Sequence, residues 1–593
     1  MLRSGREYDL RPSIGTGGGV PILPPGSRNG LAEGDFMNPV FDSTKEPAIS
    51  SDFPVKVPEY FNFATDVIDR WAEYDRNKLA MIWANLQGDE RKLTFRDLER
   101  LSTQAANLLL AIGMKRGDRA LVLLPRLPEW WILSLAMIRI GVVQCPSPTL
   151  LMPHDLKYRI NFGGFKMVIT DRDNAHKFDE IGAECPTVEH RLLVDGEREN
   201  WIDYTAAMRD RRKYSPYHLD CGAQKFRSDE LMLTVFTSGT SKNPEMVMHC
   251  YGYPLGHRVT AELWHGLNEH DLHITMSDTG WAKNLWGNYF GQWITGACLL
   301  ILDIRGKFHP DELLPILAKY GVTSFCAPPT MYRMLVQSDL KAVEMPDLRS
   351  CTSAGEPIHS DTMRLWKAGT GIIIREAYGQ TETPAITSNR PGQEPVPGSM
   401  GFASPGWEIE LHDEDGKEVP EGEDGRIAIR IYGDKRPAGL LMEYANSPEK
   451  NATTFRNGFY YTGDKARRDP DGRYWFVGRS DDIIKSSGYR IGPSEVEEVL
   501  MQHDAVREVA VVGAPDRLRG KVVKAYIVLH DGFAGTPELT KELQDFVKTM
   551  TAPYKYPREI EYVEFLPKTF SGKIKRDLLR KHAETGLMWS KDM

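Results

Sequence analysis

From Phe61 onward, apolar residues recur at helical spacing through Val67, Ile68 and Trp71, which predicts a helix with one buried face. Leu93-Thr94-Phe95-Arg96-Asp97-Leu98 opens a second helix, with the Thr94 hydroxyl placed to cap its first turn. The period then shortens. Ala120-Leu121-Val122-Leu123-Leu124 is a brief, unbroken apolar run of buried-strand type. Pro128-Glu129-Trp130-Trp131 starts a helix after it, proline being tolerated where a first-turn amide has no partner. Met167-Val168-Ile169-Thr170 repeats the strand signal, as do residues 298–302, 324–327 and 372–374. Strands alternating with helices in this way predict parallel sheets in α/β layers, with ligands at the loops beyond the carboxyl ends of the strands.

Beyond residue 400 the pattern changes. Gly406-Trp407-Glu408-Ile409-Glu410-Leu411, Gly425-Arg426-Ile427-Ala428-Ile429-Arg430 and Arg473-Tyr474-Trp475-Phe476-Val477 are short alternating or β-rich runs between Asp/Gly turns, predicting a β-barrel-like subdomain. After a polar link at Asp481, Val496-Glu497-Glu498-Val499-Leu500 is helical in pattern, residues 509–513 and 525–529 read as strands, and 539–550 as another helix. The expected fold class is therefore α/β: a large N-terminal domain of layered α/β sheets with the β-barrel-like subdomain, and a small C-terminal α/β domain. Residues 1–55 are rich in Gly, Pro and Ser. Their Gly15-Thr16-Gly17-Gly18-Gly19 lacks the flanking strand and helix of a dinucleotide-binding turn, so they read as a flexible arm. The expected boundaries are 1–55 for the arm, 56–480 for the body and 481–593 for the small domain.

At 593 residues the chain exceeds what one core usually supports. Charged residues at 26% and hydrophobic ones at 41% describe an ordinary soluble protein, and the net charge of −8 gives no general attraction to nucleic acid or anionic membrane. Seven cysteines are scattered without a Cys-x-x-Cys, which argues against a disulfide framework or zinc knuckle and suits a reducing compartment. The most apolar segment, residues 130–138, is too short to span a bilayer, so no integral membrane segment is expected. Arg3, Arg6 and Arg11 are interleaved with Glu7 and Asp9, a poor mitochondrial presequence, and no secretory apolar core follows. An intracellular location is expected, cytoplasm and mitochondrial matrix both remaining open, and oligomeric state is not legible.

The candidate chemistry begins at Thr234-Val235-Phe236-Thr237-Ser238-Gly239-Thr240-Ser241-Lys242-Asn243-Pro244-Glu245. A β-branched and aromatic run empties into small and hydroxylated residues, whose amides and hydroxyls can surround an anion. It lacks the Gly-Lys-Ser/Thr ending of a Walker loop. The same residue types also make ordinary surface turns, so the loop alone leaves both readings open. Downstream stand Tyr378-Gly379-Gln380-Thr381-Glu382, Tyr461-Thr462-Gly463-Asp464, Gly478-Arg479-Ser480-Asp481-Asp482 and Pro567-Lys568-Thr569-Phe570-Ser571-Gly572-Lys573. With the loop, these segments resemble, in order and spacing, the adenylate-forming superfamily of acyl-CoA synthetases, luciferases and peptide-synthetase adenylation domains. The likeness covers residues 60–580. Ser277-Asp278-Thr279-Gly280-Trp281, Ser486-Ser487-Gly488-Tyr489-Arg490 and Thr551-Ala552-Pro553-Tyr554-Lys555-Tyr556-Pro557 look like its medium-chain acyl-CoA synthetase branch.

The resemblance implies an acid–thiol ligase that uses ATP, Mg²⁺ and CoA to convert a carboxylic acid, a medium-chain fatty acid or an aryl acid, to acyl-AMP and then acyl-CoA. The carboxylate is itself the nucleophile, so the protein must supply positioning and charge neutralisation. Thr237, Ser238, Gly239, Thr240 and Ser241 would hold the β- and γ-phosphates, Thr381 would approach the α-phosphate, and Glu382 offers a hard oxygen to Mg²⁺. Asp464 and Arg479 would meet the ribose, and Tyr378 the adenine, with Glu376, Ala377, Gly379 and Gln380 beside it. Lys573 resembles the family's lysine that bridges the acyl carboxylate and α-phosphate, a compact ammonium able to follow moving charge. The family turns its small domain about the hinge, here Asp481, exchanging Lys573 for Ser487, Gly488 and Tyr489 beside a pantetheine tunnel. Arg490, Arg519, Lys548, Tyr554, Lys555 and Tyr556 match positions on the CoA side, and Trp281, Gly355 and Gly379 look like acyl-pocket walls.

Two positions in the loop depart from the family pattern: Lys242 replaces a glycine and Glu245 a lysine, placing like charge beside a polyphosphate. Leu150 stands where relatives carry a glutamine near CoA. These departures keep open a noncatalytic member that binds without turnover. A ligase loading a carrier protein is a further alternative, disfavoured by the CoA-side motifs.

Overall fold

The computed structural model describes residues 55–589 apart from 238–243, 307–308, 434, 480–481, 483, 487–488, 517–518, 552 and 570–571. Residues 1–54 of the expected arm, and the expected hinge at Asp481, lie outside the described residues.

The first helical segment is Ala64–Ile68 running into Asp69–Tyr74. Phe95–Ala111 follows a capping box in which Asp97 N donates to Thr94 Oγ1 at 3.1 Å and Thr94 N to Asp97 Oδ2 at 2.9 Å. Pro128–Ile140 begins on its proline, and each of residues 130–138 is at most 1% exposed. A helix apolar all round belongs between layers. Among the described residues no helix is long and apolar enough to cross a membrane.

The strands described form three sheets. In the eight-stranded sheet, Leu231–Phe236, Val143–Pro146, Arg119–Leu123, Met167–Thr170, His190–Leu193 and Ile202–Asp203 lie parallel in that order. Met246–Cys250 and then Glu443–Tyr444 extend its near edge antiparallel. The fourteen-stranded sheet has a parallel centre of Leu79–Asn85, Cys298–Asp303, Leu272–Thr275, Ser324–Cys326, Ser350–Ala354 and Ile374–Gly379. The β-rich region expected after residue 400 is the antiparallel continuation of this sheet, through Ser399–Ala403, Tyr474–Arg479, Phe459–Arg468, Asp424–Arg430 and Ile409–His412. One apolar cluster joins the two sheets through the helices between them, with Trp71, Trp130, Trp131 and Trp293 nearly or fully buried. Trp131 Nε1 donates to Asn288 O at 2.7 Å and Trp293 Nε1 to Ala80 O at 3.0 Å, so these two indoles fill the core with their N–H groups paired.

The small C-terminal domain is a five-stranded sheet built on the long hairpin Val506–Asp516 and Gly520–Leu529. Helices Pro493–Leu500 and Pro537–Met550 cover one face, and Arg576–Thr585 with Trp589 the other. It packs closely on the large domain: a Cβ on Gly492 would lie 2.5 Å from Val477 O. Within the small domain Arg576 Nη2 donates to both carboxylate oxygens of Glu497 at 2.6 Å, and Glu497 Oε1 also accepts from Val511 N at 2.7 Å. Removing the cation leaves a largely buried carboxylate uncompensated. Arg576→Ala should therefore cost about 3 kcal/mol of small-domain stability. Urea unfolding, with hydrogen exchange followed at strand Val506–Asp516, checks this; unchanged protection there would show the pair to be dispensable.

Candidate active site

A cavity of about 1000 Å³ opens at the carboxyl ends of the parallel strands, where the two domains meet. Its lining includes Thr237, Gly355, Glu376, Ala377, Tyr378, Gly379, Gln380, Thr381, Glu382, Asp464, Arg479 and Lys573. Strand Ile374–Gly379 runs into the turn carrying Thr381 and Glu382, and each carbonyl of that turn is held. Thr383 N donates to Gln380 O at 3.3 Å, His249 Nε2 meets Thr381 O at 2.9 Å and Leu441 N donates to Glu382 O at 2.8 Å. Burial keeps the His249 imidazole neutral, lowering its pKa to about 3. It therefore donates to the carbonyl as the Nε2–H tautomer.

Glu382 is 9% exposed and its Oε1 accepts from Tyr444 Oη at 2.8 Å. Burial raises its pKa, opposed by the Tyr444 bond and by the Lys450 and Arg479 charges. A carboxylate so placed fits a hard divalent cation, which would relieve the burial. Asp464 and Arg479 are direct cross-strand partners. Asp464 Oδ2 accepts from Tyr378 Oη at 2.6 Å and Gln380 Nε2 at 2.7 Å. Burial raises the Asp464 pKa, against the pull of Arg479, these two bonds and Lys573. Lys573 enters from the small domain on a tight turn: Gly572, at φ +85°, donates to Thr569 O at 2.9 Å, and Thr569 N donates to Lys573 O at 2.7 Å. A Cβ on Gly572 would sit 3.4 Å from Thr330 Oγ1 of the large domain.

Glu245, the unexpected anion of the loop, does not stand alone. Ser447 Oγ donates to its Oε2 at 2.9 Å and Lys450 Nζ lies 3.6 Å from its Oε1. Ser238, Gly239, Thr240, Ser241 and Lys242 lie outside the described residues, as do Ser487 and Gly488. Tyr489 and Arg490 are in strand Tyr489–Ile491, paired with Ile484–Ser486.

Of the expected acyl-pocket residues, Gly355 (φ +107°) and Gly379 line the cavity, whereas Trp281 is not in its lining. The indole against Gly379 is that of Trp286: a Cβ on Gly379 would lie 2.4 Å from its ring and 2.2 Å from Pro384 O. Trp281 is the extended residue preceding helix Ala282–Gly287, which carries Trp286. Trp286 packs with Trp264, Cys326, Ala354, Ala377 and Ala385. The expected CoA-side residues lie away from the cavity, on the small domain. Lys548 stands over the Tyr556 ring at 4.4 Å and pairs with Asp545 at 2.7 Å, Lys555 pairs with Glu495 at 2.6 Å, and Tyr554 is exposed. Arg519 is on the hairpin whose Gly520 pairs with Ser486. The motifs did not single out His249, Tyr444, Lys450 or Trp286.

The fold and this site define a nucleotide-dependent acid-activating enzyme. The chain belongs to the AMP-binding enzyme family: residues 68–433 match its AMP-binding enzyme model and 495–573 that of the AMP-binding enzyme C-terminal domain. It is 42% identical over 544 residues to the mouse (Mus musculus) protein named acyl-coenzyme A synthetase ACSM3, mitochondrial, covering 90% of this chain and 92% of that one. Among solved structures, it is similar to Brucella canis acyl-CoA synthetase (34% identity, TM-score 0.68, 90% of this chain and 96% of that one). It is also similar to the anthranilate CoA ligase AuaEII in complex with anthranoyl-AMP (29% identity, TM-score 0.80, 89% and 98% covered). The protein is an AMP-forming acid–CoA ligase that uses ATP, Mg²⁺ and CoA.

Glu376 supplies a pH test of the cavity floor. Burial pushes its carboxyl up to about 8; the nearby Glu498 charge adds to this, and the Ile358 and Gly398 amides oppose it. The folded chain thus keeps a proton there that an unfolded glutamate, near 4.5, releases. Stability from this group is full below the lower value and is lost as pH rises toward the upper one. Glu376→Gln should flatten that slope and melt above wild type at about pH 8. A difference in melting temperature that does not vary with pH would rule out a protonated Glu376.

Proposed function

We propose that this ligase activates a medium-chain fatty acid or an aryl acid, within the domain limits 56–480 and 481–593, and that the small domain is mobile about Asp481. The observation that carries the reading is that Lys573 of the small domain and Thr381, Glu382 and Asp464 of the large one line a single cavity. The boundary is supported by the end of the large sheet at Tyr474–Arg479 and the start of the small one at Ile484–Ser486. The acid class is supported by the apolar group of Trp264, Trp286, Cys326, Ala354 and Ala377 beside Gly379, and by the aryl acid for which one structural neighbour, an anthranilate CoA ligase, is named.

In this reading Tyr378 packs on the adenine. Asp464, held by Tyr378 and Gln380, meets the ribose hydroxyls together with Arg479. Thr237 and residues 238–241 hold the β- and γ-phosphates. Glu382 presents its carboxylate to Mg²⁺, which supplies neutralisation of phosphate charge when bound. Lys573 draws the acid's carboxylate oxygen onto the α-phosphorus as the bond to pyrophosphate breaks. With the small domain turned, Ser487, Gly488 and Tyr489 line the path of the CoA thiol. The thiol attacks the acyl carbonyl and AMP leaves, while Arg490, Arg519, Lys548, Tyr554, Lys555 and Tyr556 hold the nucleotide end of CoA. A mitochondrial matrix location is supported by the names of the mammalian relatives.

Lys573→Ala should lower acyl-AMP formation by at least about a hundredfold, while thiolysis of supplied acyl-AMP stays within a few-fold of wild type, because the ammonium acts only in the first transition state. Single-turnover assays of each half-reaction, on straight-chain acids and benzoates with and without CoA, read this. Equal losses in both half-reactions would refute a turning small domain, and absence of AMP with every acid would refute the substrate class.

A further inference from the structure

The inference concerns Glu245 and rests on the nucleotide reading above. Glu245 closes the neck of the loop: its amide donates to Thr237 Oγ1 at 3.2 Å, and its carbonyl accepts from Thr237 N at 2.8 Å. The backbone is therefore clamped between Thr237 and Glu245. The carboxylate turns aside, onto Ser447 Oγ at 2.9 Å and toward Lys450 Nζ at 3.6 Å. Lys450 lies in helix Pro448–Thr454, with its ammonium 4.1 Å from the centre of the Tyr444 ring. The Tyr444 hydroxyl in turn holds Glu382. Glu245, Lys450, Tyr444, Thr381 and Glu382 all face the same cavity.

The separation from Glu245 is an ion-pair distance, longer than an N–H···O hydrogen bond. Among the described residues the Lys450 ammonium donates no hydrogen bond. A ring face and one carboxylate thus fix where the cation sits while leaving its three N–H groups available. Glu382, the carboxylate proposed for the metal, lines the same cavity as Thr237, Glu245 and Lys450. We propose that Lys450 supplies the side-chain cation that binds the β- and γ-phosphates of ATP, with Glu245 serving as its anchor. The negative charge at position 245 is then neutralised within the protein, and the positive charge enters from the 447–454 segment instead of from the loop.

Equilibrium dialysis of the full chain with MgATP and, separately, AMP tests this. Lys450→Met should weaken MgATP about tenfold, the loss of one charge-assisted contact, and leave AMP unchanged because it lacks the outer phosphates. Glu245→Lys in the Lys450→Met background should recover MgATP to within about threefold by restoring a cation at the neck. Lys450→Arg keeps the charge, and with it most MgATP binding, which separates loss of the cation from misfolding. Equal weakening of MgATP and AMP, no weakening at all, or a tenfold loss in Lys242→Gly with Lys450→Met silent would each overturn the proposal. A wild-type chain that binds neither nucleotide would remove the reading of the site itself.

Discussion

The turn at Thr381 and Glu382 is fixed by groups from elsewhere in the chain, and the cavity depends on that fixation. His249 takes the Thr381 carbonyl, Leu441 the Glu382 carbonyl, and Tyr444 the Glu382 carboxylate. These groups are coupled to one another. Strand Met246–Cys250 carries His249, leaves the phosphate loop, and pairs on one side with Leu231–Phe236 and on the other with Glu443–Tyr444. The strand pair that carries Thr237 and Glu245 therefore also sets the position of the Glu382 carboxylate. Such coupling is how a protein holds dipoles and charges in place before a reaction, so that no reorganisation is needed when charge develops. It has an energetic cost, since Glu382 and Asp464 are both buried and both raised in pKa. A cation arriving with the nucleotide relieves that cost, which links filling of the site to binding.

Lys573 cannot be part of this rigid arrangement if the site is to serve two reactions in turn. It is delivered by the small domain on the turn that Thr569 closes, against Thr330 of the large domain. The turn's own bonds lie within the small domain. Two close approaches across the interface involve glycine: Gly492 meets Val477, and Gly398 meets the Glu498 carboxylate. Glycine, having no Cβ, lets the partner group come close to the backbone. A contact of this type suits a domain that docks and leaves, whereas the internal Arg576–Glu497 pair keeps the small domain itself intact.

The layered sheets were legible because their signals are local: apolar runs at residues 120–124, 167–170 and 298–302 each fall on a strand. The same holds for Thr94, whose cap needs only Asp97 three residues on. Thr381, Glu382, Asp464 and Lys573 were legible for another reason, since each sits in a short motif whose order along the chain is distinctive. Tyr444 and Lys450 carry no such mark. Their roles come from the pairing of Glu443–Tyr444 with Met246–Cys250, nearly two hundred residues earlier, and no periodicity reports a pairing at that separation. The acidic Glu245 read as a defect for the same reason: its partners Ser447 and Lys450 are remote in sequence. Trp281 stands in a motif but outside the cavity lining, while Trp286, on the helix that follows it, meets Gly379.

The acyl side shows what kind of selectivity such a cavity can exert. A glycine at 379 suggests room for a longer or flatter acid, yet Trp286 and Pro384 already fill the space where its side chain would project. Trp286 lies against Trp264 at a ring separation of 6.3 Å and packs with the small side chains of Cys326, Ala354 and Ala377, the group that forms the walls for the acid in the proposed reading. These walls are apolar, apart from Lys283, whose ammonium donates to Ala354 O at 2.8 Å. An apolar wall distinguishes acids by shape, and one methylene is worth only about 1–3 kcal/mol in such a pocket. The carboxylate, by contrast, is common to every acid and meets the charged end of the cavity. In the proposed reading the charged groups commit the enzyme to carboxylic acids as a class, and the apolar group beside Gly379 grades them by size.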